Sequence, residues 1–187
     1  MAFVGAILVA FGVIFVAELG DKTQLLALNF GARYPIRVVV AGLTLGFAVA
    51  GAIAAVVGSL LGAALPDRGL AIGGGVLFLV FAIVSLREQD DEEAARIVRT
   101  SSAIASIAIT IAVAEFGDKT QLATATLAAR GQPFATWLGA TAGEVASGLL
   151  GAIAGSTIGR RLRPELVRYA SAAMFAIFGV VMLLSAL

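Results

Sequence analysis

Long apolar runs alternate with short polar breaks along the whole chain. Each run is close to or above the roughly 20 residues that an α-helix needs to cross a bilayer. The breaks carry Pro, Gly and Arg, as in 31–35 and 130–133. The pattern predicts an all-α membrane protein with six transmembrane helices, over residues 3–32, 36–65, 69–86, 101–129, 134–162 and 165–187.

The two halves of the chain repeat one another when the sequence is shifted by 97 residues. Segment 18–25 then aligns with 115–122 without a gap, so that rare charged residues coincide. Chance matching explains shared glycines in Ala/Gly-rich helices, but it does not explain rare charged residues that coincide at one and the same shift. We therefore expect two three-helix repeats, 1–86 and 101–187, joined by a charged linker, 87–100.

An odd number of helices per repeat means that the second repeat enters the membrane inverted. On this topology Arg68 and Arg130 lie on one side. The other side carries Arg33, Arg37, Arg87, Arg96, Arg99, Arg160, Arg161, Arg163 and Arg168. The positive-inside bias makes the arginine-rich side cytoplasmic. We therefore expect a multi-pass protein of the cell inner (plasma) membrane, with both termini outside and a cytoplasmic central linker.

Composition agrees with lipid as the solvent and limits the chemistry. The chain is 60% hydrophobic and 13% charged, whereas a soluble domain is about 25% charged. The net charge of +1 argues against binding to nucleic acid. The absence of Cys and His removes the usual ligands of zinc, copper and iron–sulfur centres. We expect no prosthetic group, and any bound metal must be held by oxygen.

Two copies of the segment Glu-x-Gly-Asp-Lys-Thr-Gln lie at the centres of the first and fourth predicted helices. Each charged residue at a helix centre costs roughly 2.5–3.5 kcal/mol to insert into a membrane. A spacing of four residues lets Glu18 pair with Lys22, and Glu115 pair with Lys119, on one helix face. The motifs then retain two negative charges, which matches one divalent cation.

Four carboxylates converge if the two motifs face each other across the repeat axis, because Glu and Asp three residues apart share a helical stripe. An oxygen-rich cage suits Ca²⁺, Mn²⁺ or Mg²⁺. Gly20 and Gly117 permit close approach or a helix break that frees carbonyl oxygens. The candidate ligands are Glu18, Asp21, Glu115, Asp118, Thr23, Thr120, Gln24 and Gln121, supported by Lys22 and Lys119. The alternative, ion pairs that only lock helices, is costlier than apolar packing.

Glu144 breaks the repeat, because its counterpart in the first half is Phe47. It lies near the middle of the fifth predicted helix, with Ser147 one turn further along. Three roles are open for this carboxylate: a fifth metal ligand, a proton acceptor, or an acid facing a water-filled vestibule.

The doubled motif resembles the hallmark of the Gdt-type Ca²⁺/Mn²⁺:H⁺ exchanger family, a Glu-x-Gly-Asp-Lys/Arg-Thr/Ser segment in each of two three-helix repeats. The resemblance covers essentially the whole chain. It implies six membrane helices, export of cations in exchange for protons, and the motif acids as ligands. It also implies Mn²⁺ as substrate and Ca²⁺ as a candidate co-substrate.

Three other functions remain open on the sequence. Asp21 and Asp118 on separate helices could form the dyad of an intramembrane aspartyl protease. Against this role, the adjacent lysines should keep both aspartates ionised, and the motif glutamates would have no role. The same acids could bind a small cationic organic solute for export. A membrane scaffold without transport is the third alternative.

Overall fold

The computed structural model describes residues 2–87, 97–98, 100–157 and 164–187. Within these residues α-helices are the regular secondary structure, and there is no strand. The helices in chain order are α1 Phe3–Ala17, α2 Lys22–Arg33, α3 Ile36–Ala64, α4 Asp67–Arg87, α5 Ala103–Glu115, α6 Lys119–Ala128, α7 Pro133–Thr157 and α8 Pro164–Leu184. The prediction of an all-α chain is therefore confirmed for the described residues.

Four predicted helices agree with the structure to within a few residues over the described part of the chain. They correspond to α3, α4, α7 and α8, and the Pro and Gly breaks between them begin or end each helix as expected. Residues 158–162 of the predicted fifth helix lie outside the described residues, as does most of the linker 87–100.

The first and fourth helices were predicted to be continuous, and that prediction is wrong. Each is broken within the charged motif, and α1 and α2 are bent by 80°. Gly20 and Gly117 have φ angles of +77° and +81°. A right-handed helix cannot continue through this left-handed region, which glycine enters at little cost. The break that the motif glycines permit is therefore present in both copies.

Two described helices, Ile36–Ala64 and Asp67–Leu86, are each long and apolar enough to cross a bilayer. The bent pair α1 and α2 makes a third span if it is counted as one. Ala103–Glu115 and Tyr169–Leu184 are shorter apolar helices. The fold thus has the apolar helices of a multi-pass membrane protein.

Each long helix packs against the broken helix of the other half. Helix α3 lies against α5 and α6, whereas α7 lies against α1 and α2. A Cβ atom on Gly42 of α3 would lie 3.2 Å from the carbonyl oxygen of Ile104, and one on Gly139 of α7 would clash with that of Ile7. Both pairs are related by the 97-residue shift. The glycines therefore allow the close helix contacts that enclose the site.

Aromatic packing joins the remaining helices of the two halves. Phe78 of α4 and Phe175 of α8, which are repeat counterparts, are fully buried with ring centroids 5.8 Å apart. Phe81 lies 5.6 Å from the same Phe175 ring. This apolar cluster includes Val13 and Ile14 of α1, the helix that ends at the first motif.

Candidate functional site

The two motifs form matching turns between half-helices. Glu18 caps the C-terminus of α1 and Glu115 ends α5, whereas Asp21 and Asp118 are the N-caps of α2 and α6. The N–H of Asp21 donates to the Glu18 carbonyl at 3.2 Å, and that of Asp118 donates to the Glu115 carbonyl at 3.0 Å. Each aspartate thus lies at the positive end of a helix dipole.

Three carboxylates from the two motifs come together in the protein interior. Oxygens of Glu18, Asp21 and Asp118 all lie within 4.8 Å of one another. Two oxygens on opposite sides of a Ca²⁺ ion are about 4.6–5.2 Å apart, twice the usual metal–oxygen distance. The three carboxylates therefore have a spacing that one divalent cation can bridge.

Glu115 is the repeat counterpart of Glu18 and has a matching threonine contact, but it lies outside the group of three carboxylates. Both glutamates are 1% exposed. Thr23 donates to Oε2 of Glu18 at 2.7 Å, and Thr120 donates to Oε2 of Glu115 at 3.1 Å. The Oε1 atom of each glutamate has no hydrogen-bond partner among the described residues. A buried carboxylate oxygen without a donor is costly, so each has one coordination position available for a cation or a proton.

The lysines pair across the two motifs rather than within them. Lys22 Nζ lies 3.1 Å from Oδ1 of Asp118, and Lys119 Nζ lies 3.6 Å from Oδ2 of Asp21. The expected pairing of Glu18 with Lys22 on one helix face is wrong, because the helix break separates them. The expected stripe of Glu and Asp on one continuous helix is wrong for the same reason, although three of the four motif carboxylates still converge.

The motif glutamines close the helix breaks. Gly20 N–H donates to Oε1 of Gln24, and Gly117 N–H donates to Oε1 of Gln121, at 2.8 Å in both copies. The amide groups then reach the other half of the chain. Gln24 Nε2 donates to the Ser147 carbonyl of α7 at 3.2 Å, and Gln121 Nε2 donates to the Ala50 carbonyl of α3 at 3.2 Å.

Glu144 on α7 is buried beside this group, with 2% of its surface exposed. It is close enough to Glu18 and Asp118 to interact with them electrostatically, and it also influences Glu115. Its Oε2 atom has no hydrogen-bond partner among the described residues. Its counterpart Phe47 is fully buried in an apolar cluster. α7 therefore presents a carboxylate to the site, whereas the equivalent position on α3 holds an apolar side chain.

Two threonines that share a helix with candidate residues were not singled out from the sequence. Thr124 and Thr141 are buried or partly buried, and their Oγ1 atoms have no partner among the described residues. Thr124 lies one helical turn beyond Thr120, and Thr141 lies one turn before Glu144. The spacing from Thr120 to Thr124 (i, i+4) and from Thr141 to Glu144 (i, i+3) could have identified them in the sequence, because it places each hydroxyl on the same helix face as a candidate residue.

The charges of the site favour a cation. The four motif acids and two lysines leave two negative charges, and Glu144 adds a third. No soft ligand is available, because the chain lacks Cys and His. Carboxylate and hydroxyl oxygens in this number suit a hard divalent ion.

Comparisons with known proteins agree with this chemistry. A family model described as divalent cation/proton antiporter GDT1 matches residues 6–93 and 103–187. A GDT1-like protein of Synechocystis sp. is 31% identical over an alignment of 190 positions. The alignment covers 90% of this chain and 91% of that protein. The chloroplastic protein PAM71 of Arabidopsis thaliana is 29% identical, over 92% of this chain and 55% of its own length. The chloroplastic GDT1-like protein 1 of Oryza sativa subsp. indica is 30% identical, over 93% and 60%. No solved structure matches the chain.

Proposed function

This chain belongs to the divalent cation/proton antiporter GDT1 family, and we propose that it exports Mn²⁺ in exchange for protons, with Ca²⁺ as a candidate co-substrate. Membership of the family makes the chain a multi-pass membrane transporter and not an enzyme. It also makes a divalent cation and protons the substrates. The family relationship removes the aspartyl protease alternative, and the lysine partner on each aspartate agrees with that exclusion.

The convergence of Glu18, Asp21 and Asp118 within 4.8 Å carries the proposal for the site. Glu115 completes the set as the buried counterpart of Glu18, with one unpartnered oxygen. Thr23 and Thr120 hold the glutamates through their hydroxyl groups. In this proposal one ion bridges acids from both motifs, so that neither motif is a complete site alone.

Proton coupling follows from competition for the same oxygens. An uncompensated carboxylate in the protein interior is strongly unfavourable, so the emptied site takes up protons in place of the metal. Arrival of a divalent cation displaces those protons, and protons that arrive from outside help to release the metal. Glu144, close to Glu18 and Asp118, is placed to take part as a fifth ligand or as a proton acceptor.

We extend the proposal to a topology of six spans. In it α1 with α2, and α5 with α6, each count as one broken span, and segments 1–86 and 101–187 are inverted repeats. The repeated contacts of α3 with α5 and of α7 with α1 support this arrangement. Arginine-rich loops then face the cytoplasm, both termini face outward, and the protein lies in the cell inner membrane. Rocking of one repeat against the other exposes the site to alternate sides.

Transport in proteoliposomes with an enclosed pH dye tests this proposal. Addition of Mn²⁺ should move protons across the membrane, and Glu18→Gln should lower the flux by at least about tenfold. Asp67→Asn is the matched control, since it removes an exposed carboxylate at the start of α4. Excess of a cationic amino acid should leave the flux unchanged, which separates metal export from export of organic cations. Absence of Mn²⁺-dependent proton movement, or full flux in Glu18→Gln, contradicts the proposal.

A further inference from the structure

Gln24 and Gln121 each make one hydrogen bond within their own motif and one to the other half of the chain, and Gln24 Nε2 also lies 3.5 Å from Ser147 Oγ. The Oε1 atom accepts from the glycine N–H inside its own helix break, and Nε2 donates to a backbone carbonyl of the facing long helix. The acceptors, Ser147 on α7 and Ala50 on α3, are themselves 97 residues apart in sequence. The same arrangement of glycine N–H, glutamine amide and backbone carbonyl therefore occurs twice. One copy joins the first half to the second, and the other joins the second half to the first.

We propose that Gln24 and Gln121 are positioning residues and not metal ligands, and that each is a latch between a broken helix and the long helix of the other half. The latch of Gln24 joins α2 to α7, and the latch of Gln121 joins α6 to α3. The proposal rests on the exchange function given above.

The contacts of each glutamine argue against a ligand role. An amide nitrogen is a donor only, so Nε2 cannot bind a cation. The Oε1 atom, which could, is directed at a backbone N–H 2.8 Å away in both copies. That N–H lost its helical acceptor at the break, so the bond satisfies a group that would otherwise lack a partner. The glutamine thereby fixes the turn that carries the neighbouring aspartate.

The latches lie where the site must open. Glu18 and Glu115 are 1% exposed, so water and ions reach neither acid in this conformation. The surrounding walls include α2 against α7 and α6 against α3. Separation of either contact would open a path to the buried glutamates, and each contact is tied by one latch. In an inverted repeat the two contacts face opposite sides of the membrane, so each latch controls access from one side.

Single introduced cysteines test the latches, because the natural chain contains no Cys. Ser147 and Ala50 are 1% and 3% exposed, so Ser147→Cys and Ala50→Cys should react slowly with a cationic, water-soluble methanethiosulfonate in detergent micelles. Gln24→Met removes one latch and should speed modification at position 147 by about fivefold while leaving position 50 unchanged. Gln121→Met should give the opposite pattern.

The matched control is Gln132→Met, which makes the same substitution in the break before α7. It should change neither rate. If either latch variant speeds modification at both positions, the effect is general loosening and the proposal is overturned. If neither rate changes without added metal, a ligand role is the better account and the proposal is overturned as well.

A second measurement covers the case in which a cysteine variant does not fold. Gln24→Met and Gln121→Met alone should lower the maximal Mn²⁺-dependent proton flux by about fivefold, with the half-saturating Mn²⁺ concentration changed by less than about threefold. Loss of apparent affinity in proportion to the loss of flux contradicts the latch. Cysteine modification does not depend on transport. If each glutamine variant speeds modification only at its own position but the protein shows no Mn²⁺ flux, the exchange function is refuted and the latch proposal is retained.

Discussion

The two crossed ion pairs are equivalent in sequence but differ in burial, which predicts unequal effects of removing them. Lys119 and Asp21 are 10% and 15% exposed, whereas Lys22 is 40% exposed beside Asp118 at 16%. Breaking a buried pair leaves an uncompensated charge and costs about 3–5 kcal/mol. A water-screened pair contributes about 0–1 kcal/mol. Lys119→Met should therefore lower the free energy of unfolding by about 3 kcal/mol, and Lys22→Met by about 1 kcal/mol.

Denaturant unfolding in micelles, followed by tryptophan fluorescence, measures this difference. Trp137 is the single tryptophan in the chain. Its Nε1 donates to the Ala48 carbonyl at 2.9 Å, so the indole reports separation of α7 from α3. Arg68→Met, which removes an exposed cation, is the control and should change stability little. Equal losses for the two lysine variants, or a larger loss for Lys22→Met, refute the reasoning from burial.

Three further predictions concern the backbone, the packing and the fifth acid. Gly117→Ala should lower the free energy of unfolding by about 1–2 kcal/mol because its φ is +81°. Gly73→Ala, in an open helical position, should be neutral or stabilising in the same unfolding assay. Gly58→Ala should lower the free energy of unfolding more than Gly73→Ala, since its Cβ would clash with the Ala125 carbonyl oxygen; retained stability contradicts the packing. Glu144→Gln should weaken Mn²⁺ binding about tenfold in equilibrium titration, because it removes a negative charge beside the site; unchanged affinity argues against its participation.

Much of the fold was predictable because the sequence repeats and the apolar runs are long. The two ends of α3 and the start of α4 follow from Pro35 and Pro66, which interrupt helices by simple stereochemistry. The contact of α3 with α5 was not predictable from either helix alone. Gly42 lies in a close contact with α5, and the identity of its neighbour depends on how all helices pack.

The site shows the same division between local and distant information. The motif acids were identifiable because charged residues at a helix centre are costly without a function. Their pairing was mispredicted, since the rule that Glu18 meets Lys22 assumes an unbroken helix. Gly20 signalled that a break was permitted, but its φ of +77° is observable only in the structure. Once the helix is broken, the nearest partner of Lys22 is Asp118, 96 residues away.

Counting bound Mn²⁺ ions in equilibrium titrations of the purified protein and its variants tests the shared site most directly. The account predicts one ion per chain, and it predicts that Glu18→Gln and Asp118→Asn, although in different halves, each weaken that single event. Two ions per chain, with one lost in each variant, would mean that every motif binds its own metal and would contradict the account.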